Sequence, residues 1–212
     1  MPDLRRLTER WTGRRTREQS EPDPLDDAVD AARDGDETAF AQLYRTIQPG
    51  LLNYVRAIVG ETDAEDVTSE AWGNIARDLR SFRGGGRAFR AWAAVVTRHR
   101  AIDHLRGRRP SMTLPAEAWP AVTAGDDVEG EVLDNIDTAT ALAMIAALPP
   151  DQAQAILLRV VVGLDAATAG RILGKRPGAV RTAAHRGLRN LAGSLDAAET
   201  DRSPATPRRR GP

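Results

Sequence analysis

Apolar residues recur at helical spacing along most of the chain, and this pattern constrains the fold more than any other feature of the sequence. In the clearest example, one helical face is formed by Phe40, Leu43, Tyr44, Ile47, Leu51, Val55 and Ile58. Aromatic residues make up only 4% of the chain, and β-branched residues do not cluster in alternating runs. Because strands depend on those residue types, the sequence predicts an all-α protein.

Glycine and proline divide the helical pattern into two small domains. Residues 25–109 form the first domain, which is predicted to contain a helix capped by Asp36, a helix capped by Thr62 or Asp63, and a helix from about Arg87 to Arg106. The sequence therefore predicts a helical bundle for the first half of the chain.

Residues 136–195 form the second predicted domain. Pro149-Pro150 is expected to end its first helix, since proline cannot continue a helix. The next helix is expected to end at Gly163. Its inward-facing residues are predicted to be Ala153, Ile156, Leu157, Val160 and Val161.

The remaining segments have the composition of connectors and ends. Residues 110–135 contain three prolines and two glycines and are predicted to be a flexible linker. Residues 1–24 and 196–212 are polar and are predicted to be a disordered arm and a disordered tail.

The formal net charge is zero, yet the charges are strongly segregated. Residues 166–195 contain six Lys or Arg and no acid, and residues 79–110 contain nine Arg and a single acid, Asp103. Residues 111–140 contain seven acids and no Lys or Arg, so the linker is acidic. Two basic stretches separated by an acidic one indicate two contacts with a polyanion such as DNA.

The stretch from Asp165 to Leu191 has the pattern of a helix-turn-helix. Asp165 is a predicted N-cap for a short helix over residues 166–173. Gly174 then supplies left-handed turn geometry, and Pro177 stands where a first-turn proline is tolerated. Gly170 is small enough to let the two helices approach closely.

The second helix of this motif is predicted to be buried on one side and cationic on the other. The predicted buried face consists of Val180, Ala184, Leu188 and Leu191. The opposite face and the preceding turn carry the predicted DNA contacts, Arg171, Lys175, Arg176, Arg181, Thr182, His185, Arg186 and Arg189. Such a helix suits the major groove, although an ordinary helical hairpin is the alternative.

The order of these motifs resembles that of bacterial sigma factors of the extracytoplasmic-function (ECF) group. Asp63 to Glu70 resembles the family's polymerase-binding helix, and Phe89 to Arg106 resembles its promoter-melting helix. The C-terminal domain of the family is matched by Leu148-Pro149-Pro150, Gly170 to Gly174 and Gly178 to Arg181. The chain departs from the family's usual Gln, Asn and Arg at Ser69, His99 and Ala183.

The resemblance implies an alternative sigma factor that binds core RNA polymerase and directs promoter-specific transcription initiation. Contact with the clamp helices of the largest polymerase subunit is then expected from Glu65, Asp66, Ser69, Glu70, Asn74 and Arg77. Recognition and melting of the minus-ten element are expected from Arg83, Arg87, Arg90, Trp92, Arg98, His99 and Arg106. For Trp92, a place in the core is favoured over stacking on a base. By resemblance, the loop from Ser81 to Arg87 receives a flipped base and the helix-turn-helix reads the minus-thirty-five element. An anti-sigma factor is a further expected partner.

A conventional transcription regulator and an enzyme are the two alternatives to a sigma factor. A conventional helix-turn-helix regulator would bind duplex DNA without polymerase. An enzyme is not expected, because His99 and His104 are five residues apart and do not align on one helix face as metal ligands do. Gly84-Gly85-Gly86 also lacks the Lys-Ser/Thr ending of a phosphate-binding loop.

The composition narrows the remaining possibilities. The chain has no cysteine, which excludes disulfides and thiolate zinc sites, and no catalytic residue, metal or other cofactor is predicted. No apolar run approaches the roughly 20 residues of a membrane span, and the N-terminus lacks the apolar core of a secretion signal. A cytoplasmic location is therefore expected.

Overall fold

The computed structural model describes residues 23–108 and 133–202, which form eight α-helices and contain no strand. The helices are α1 (Asp26–Arg33), α2 (Glu37–Val59), α3 (Glu61–Asp78), α4 (Gly86–Arg108), α5 (Leu133–Ala146), α6 (Pro150–Ile156), α7 (Ala166–Leu173) and α8 (Pro177–Arg202). The all-α prediction is confirmed. The predicted linker lies outside the described residues except for residues 133–135, which begin α5. Helix α8 continues past residue 195, where the tail was predicted to begin.

Helices α1 to α4 pack around one apolar core, since each of α1, α3 and α4 contacts α2. The largest fully buried side chains of this unit are Leu43, Leu51, Tyr54, Ile75, Phe82, Phe89 and Trp92. Aromatic residues are few in the chain, but three of them meet at the start of α4. An aromatic cluster therefore lies in the core where α4 begins.

The starts of α2 and α3 show one correct cap prediction and one wrong one. Asp36 caps α2 by accepting hydrogen bonds from the backbone N–H groups of Thr38 and Ala39 at 2.8 and 3.1 Å. Neither Thr62 nor Asp63 caps α3, because the helix already begins at Glu61 and its N-cap is Gly60. Gly60 has a φ of 90°, a conformation that favours glycine, so α3 can follow α2 almost directly.

Helices α5 to α8 form the second unit, which packs against the middle of α2. Helix α2 runs without interruption through Pro49, and its neighbour Gly50 faces the backbone of the second unit. A Cβ atom on Gly50 would stand 2.8 Å from the carbonyl oxygen of Val161. The absence of a side chain at Gly50 thus permits direct contact between the two units.

The helix that follows Pro149-Pro150 changes geometry before it ends. Pro149 is the N-cap of α6 and Pro150 its first residue, as the proline pair predicts. Residues Leu157–Val161 then form a π-helical turn, in which Val160 is 58% exposed. The prediction that Val160 faces inward is therefore wrong, because the wider π turn changes which side chains face the core.

Candidate nucleic-acid interface

The short helix α7 is fixed at both ends by the residues that the sequence singled out. The Asp165 carboxylate accepts hydrogen bonds from the backbone N–H and the hydroxyl of Thr168, at 2.8 and 2.9 Å. Burial raises the pKa of Asp165, but the hydrogen bonds from Thr168 and from the backbone of Ala167, together with the charge of Arg171, outweigh that effect and hold this pKa below its ordinary value. At the other end Gly174 adopts the left-handed conformation with a φ of 67°.

The turn between α7 and α8 folds closely over Gly170. The backbone N–H of Lys175 donates to the Gly170 carbonyl oxygen at 2.8 Å. A Cβ atom on Gly170 would lie 2.6 Å from the carbonyl oxygen of Lys175, closer than real side chains approach. The predicted close approach at Gly170 is confirmed, and it sets the angle at which α8 leaves the turn.

The inner face of α8 differs from the prediction at one position. Val180 and Ala184 are buried, but Leu188 is 45% exposed. Gly187 is buried in its place, and a Cβ atom there would lie 2.6 Å from Cδ1 of Ile156. At about 100° per residue, Gly187 returns to within about 20° of Val180, whereas Leu188 lies about 80° away. Helical spacing alone therefore places Gly187, and not Leu188, on the buried face.

The outer face of α8 is basic and open to solvent. Its exposed side chains are Arg181, Thr182, His185, Arg186 and Arg189. Arg171 and Arg176 are exposed beside them, and Arg171 donates a hydrogen bond to the Thr168 hydroxyl at 3.1 Å. Lys175 is tied to Asp151 of α6 by an ion pair of 2.7 Å. All eight predicted residues, on α7, on the turn and on α8, are therefore exposed.

The predicted minus-ten residues on α4 and in the loop before it differ widely in exposure. Arg83, Arg87 and Arg106 are exposed, whereas Arg90, Arg98 and His99 are half-buried. Burial, reinforced by Arg98, lowers the pKa of His99, whose Nδ1 atom has no hydrogen-bond partner among the described residues. His99 is therefore held in its neutral form and is a poor candidate for a phosphate contact.

Trp92 is buried in the core, the position that the sequence favours over base stacking, so it is not an accessible minus-ten contact. Its side chain is 1% exposed and stacks on Phe82 with ring centroids 5.0 Å apart, while Phe89 packs at 5.7 Å. A ring enclosed in this way cannot stack on a DNA base without opening the core. Trp92 supports the loop at the start of α4 and does not form part of the accessible surface.

The predicted polymerase face lies on α3 and is largely exposed. Glu65, Asp66, Ser69, Glu70 and Arg77 are exposed and Asn74 is half-buried. Two arginines that the sequence did not single out also reach this face. Arg56 of α2 lies 3.9 Å from Glu65, and Arg100 of α4 forms an ion pair with Glu70. The exposed face of α3 is thus mainly acidic, and ion pairs from α2 and α4 hold two of its glutamates.

The exposed basic face of α8, carried on a helix-turn-helix, defines a helical DNA-binding protein. A family model described as Sigma-70 region 2 matches residues 43–110, and one described as Sigma-70, region 4 matches residues 139–191. None of the described helices is long and apolar enough to cross a membrane.

Similar proteins narrow the class further. The ECF RNA polymerase sigma factor SigD of Mycobacterium tuberculosis is 32% identical over 180 residues, covering 82% of this chain and 85% of SigD. The ECF RNA polymerase sigma factor BldN of Streptomyces coelicolor is 31% identical, covering 84% of this chain and 69% of BldN. The chain belongs to the ECF group of RNA polymerase sigma factors.

Solved structures share the fold at lower sequence identity. CnrH, solved in complex with the cytosolic domain of CnrY, has a TM-score of 0.57 and 23% identity, with 82% of this chain and 98% of CnrH covered. RpoE from Bartonella quintana, solved in complex with the anti-sigma factor NepR, has a TM-score of 0.54 and 20% identity, with 74% of this chain and 96% of RpoE covered.

Family membership determines the general function. The protein is an alternative sigma factor that directs promoter-specific transcription by RNA polymerase. Sigma factors are DNA-binding initiation factors and not enzymes, so the family confirms the prediction that this chain is not an enzyme.

Proposed function

We propose that the two basic surfaces divide promoter recognition between them. Residues 136–195 place the outer face of α8 against the minus-thirty-five element, and residues 25–109 place Arg83, Arg87 and Arg90 against the minus-ten element. The main support for this proposal is that the basic side chains of α8 are exposed, while Val180 and Ala184 on its other side are buried. A helix of this kind can enter a major groove without disturbing its own core.

The acidic face of α3 is proposed as the contact with the largest polymerase subunit. Glu65, Asp66 and Glu70 are all exposed on one side of this helix. The ion pair between Glu70 and Arg100 connects this face to α4, which carries the proposed minus-ten surface. Polymerase binding and the orientation of α4 are therefore expected to be coupled through this ion pair.

We also propose an anti-sigma factor as a partner and the cytoplasm as the location. One solved relative of the same fold was captured with an anti-sigma factor, and another with a cytosolic domain of a second protein. The location follows from the function, because polymerase and promoter DNA must both be within reach.

Run-off transcription with core RNA polymerase tests the proposed function. The full chain is expected to produce transcripts with defined starts from a subset of genomic promoter fragments, and core polymerase alone is not. A conventional regulator would instead bind duplex operator DNA tightly by itself and add no new start sites. Tight binding without polymerase, together with no new transcript, would contradict the sigma function.

Arg181 provides a test of the minus-thirty-five surface. Because Arg181 lies exposed on the outer face of α8, Arg181→Ala is expected to reduce holoenzyme affinity for the mapped promoter by about 1–3 kcal/mol if it reads a base. Base reading would also relax the sequence preference at one position. A uniform loss across sequences, with a shallower salt dependence, would identify a phosphate contact instead.

Arg45→Ala is the matched control for this experiment. Arg45 is an exposed arginine on α2, outside the proposed DNA surfaces. Its loss is expected to leave promoter affinity and sequence preference unchanged. Equal effects at Arg45 and Arg181 would show that only the total charge of the chain matters.

A further inference from the structure

Two aspartates near the start of the described chain hold the beginning of α4. The Asp26 carboxylate accepts a hydrogen bond from the backbone N–H of Gly86 at 2.7 Å, across a separation of 60 residues in sequence. The other Asp26 oxygen accepts from the backbone N–H of Asp23 at 3.1 Å. Asp23 in turn accepts from the backbone N–H of Leu25 at 3.0 Å. We refer to Asp23 and Asp26 together as the aspartate clasp.

Gly85 and Gly86 leave room for the clasp because they have no side chains. A Cβ atom on Gly85 would collide with the Asp26 carboxylate, and one on Gly86 would collide with that of Asp23. By resemblance to the family, the loop that contains these glycines is expected to receive a flipped base. In the structure they serve the close approach of the clasp, so the loop and the two aspartates depend on each other.

The clasp also arranges charge at the proposed minus-ten surface. Asp23 is only 7% exposed and accepts a hydrogen bond from the Arg90 guanidinium at 3.1 Å. Arg87 lies farther from the same oxygen, at 3.9 Å, and remains 60% exposed. Arg90 is therefore held in place beneath the loop, while Arg87 projects outward from it.

Helix α4 has no acidic residue in its own first turn, and the clasp supplies one from elsewhere. A carboxylate at a helix N-terminus stabilises the exposed N–H groups and the positive end of the helix dipole. The same negative charge opposes a DNA phosphate at that position. The aspartate clasp thus stabilises the start of α4, and its negative charge disfavours a phosphate group at the same position.

We propose that Asp23 and Asp26 are positioning residues for minus-ten recognition: they fix the loop at residues 82–86 and Arg90 before DNA arrives. This proposal rests on the proposed function of that surface. A preformed site avoids the cost of ordering the loop when a base is captured. Because the clasp opposes phosphate contacts, binding at the loop depends mainly on the identity of the base. Both aspartates lie before residue 43, where the family match begins.

Base selectivity of the holoenzyme tests the clasp. The probe is a single-stranded oligonucleotide carrying the minus-ten sequence mapped with the wild-type protein, together with versions substituted at each base in turn. Asp26→Ala is expected to reduce the ratio of matched to mismatched affinity by about tenfold, the size of effect that follows loss of a charge-assisted hydrogen bond. Affinity for core polymerase is expected to stay unchanged.

Asp27→Ala is the control, because Asp27 is an exposed aspartate of the same turn and is not one of the clasp residues. It is expected to match the wild type. Unchanged selectivity in Asp26→Ala would overturn the proposal. An equal loss of matched affinity, mismatched affinity and core binding would also overturn it, since that result indicates a purely structural role. Failure of the proposed function would show differently, as an absence of transcripts with the wild-type protein.

Gly85→Ala approaches the same contact from the other side. The new methyl group would displace the Asp26 carboxylate, so a similar loss of selectivity is expected. In the Asp26→Ala background the same substitution is expected to cost less than about twofold further, because the clash has been removed. If the two losses multiply instead, Gly85 acts independently of the clasp and the proposal fails.

Discussion

Trp92→Ala is expected to lower the free energy of unfolding by about 3–5 kcal/mol, the usual cost of deleting a large buried ring. Trp92 is 1% exposed and closes a cluster with Phe82 and Phe89. The three rings meet where the loop at residues 82–86 joins α4, so the cavity would open beneath the proposed minus-ten surface. Urea unfolding followed by circular dichroism measures the change.

Leu188→Ala is the control for this large effect. Leu188 is 45% exposed, and a surface substitution of this kind usually stays within about 0.5 kcal/mol. A loss below about 1 kcal/mol for Trp92→Ala would contradict the buried position of the ring. In that case a direct contact of Trp92 with DNA would become the better interpretation.

Gly170→Ala is also expected to have a large effect, because it should lower the free energy of unfolding, whereas replacing glycine by alanine within a helix usually raises it. Alanine normally stabilises a helix interior by about 0.5–1 kcal/mol relative to glycine. At Gly170 the added Cβ would stand 2.6 Å from the Lys175 carbonyl oxygen, which belongs to the backbone of the turn and cannot simply rotate away. We therefore expect a loss of about 1–3 kcal/mol, as for overpacked sites, with weaker promoter binding because α8 leaves the turn at a different angle.

Gly178→Ala makes the same chemical change in the next helix and is the matched control. A Cβ atom on Gly178 would have nothing within 4 Å. Gly170→Ala is therefore expected to lower the midpoint temperature of thermal unfolding. Gly178→Ala is expected to raise that temperature or leave it unchanged. Equal stabilisation by both substitutions would show that the turn accommodates a side chain at Gly170.

The two units contact each other through the middle of α2, and the start of α4 lies close to the start of α7. A crevice of about 150 Å³ between them is lined by Asp23, Arg87, Arg90, Gly163, Leu164, Asp165 and Thr168. The proposed minus-ten surface and the N-cap of the helix-turn-helix are therefore neighbours in this arrangement.

Local sequence patterns predicted much of this protein. Asp36 and Asp165 are the caps that the sequence indicates, and the turn at Gly174 is left-handed. These features depend on hydrogen bonds between residues no more than four positions apart, so the adjacent sequence contains the needed information. The basic face of α8 follows in the same way, because helical periodicity alone sorts its charged and apolar residues.

Contacts between distant residues were decided by the tertiary structure. The sequence favours a core position for Trp92, but only the tertiary structure shows that the rings of Phe82 and Phe89 enclose it. The aspartate clasp joins residues 60 positions apart, and no periodicity links Asp26 to Gly86. Helical spacing shows which side of a helix a residue occupies, whereas the fold decides what stands opposite it. The sequence by itself thus determined the all-helical fold, the caps at Asp36 and Asp165 and the basic face of α8. The tertiary structure decided which of the predicted DNA contacts are accessible and which residues hold them, because those properties depend on contacts between residues far apart in sequence.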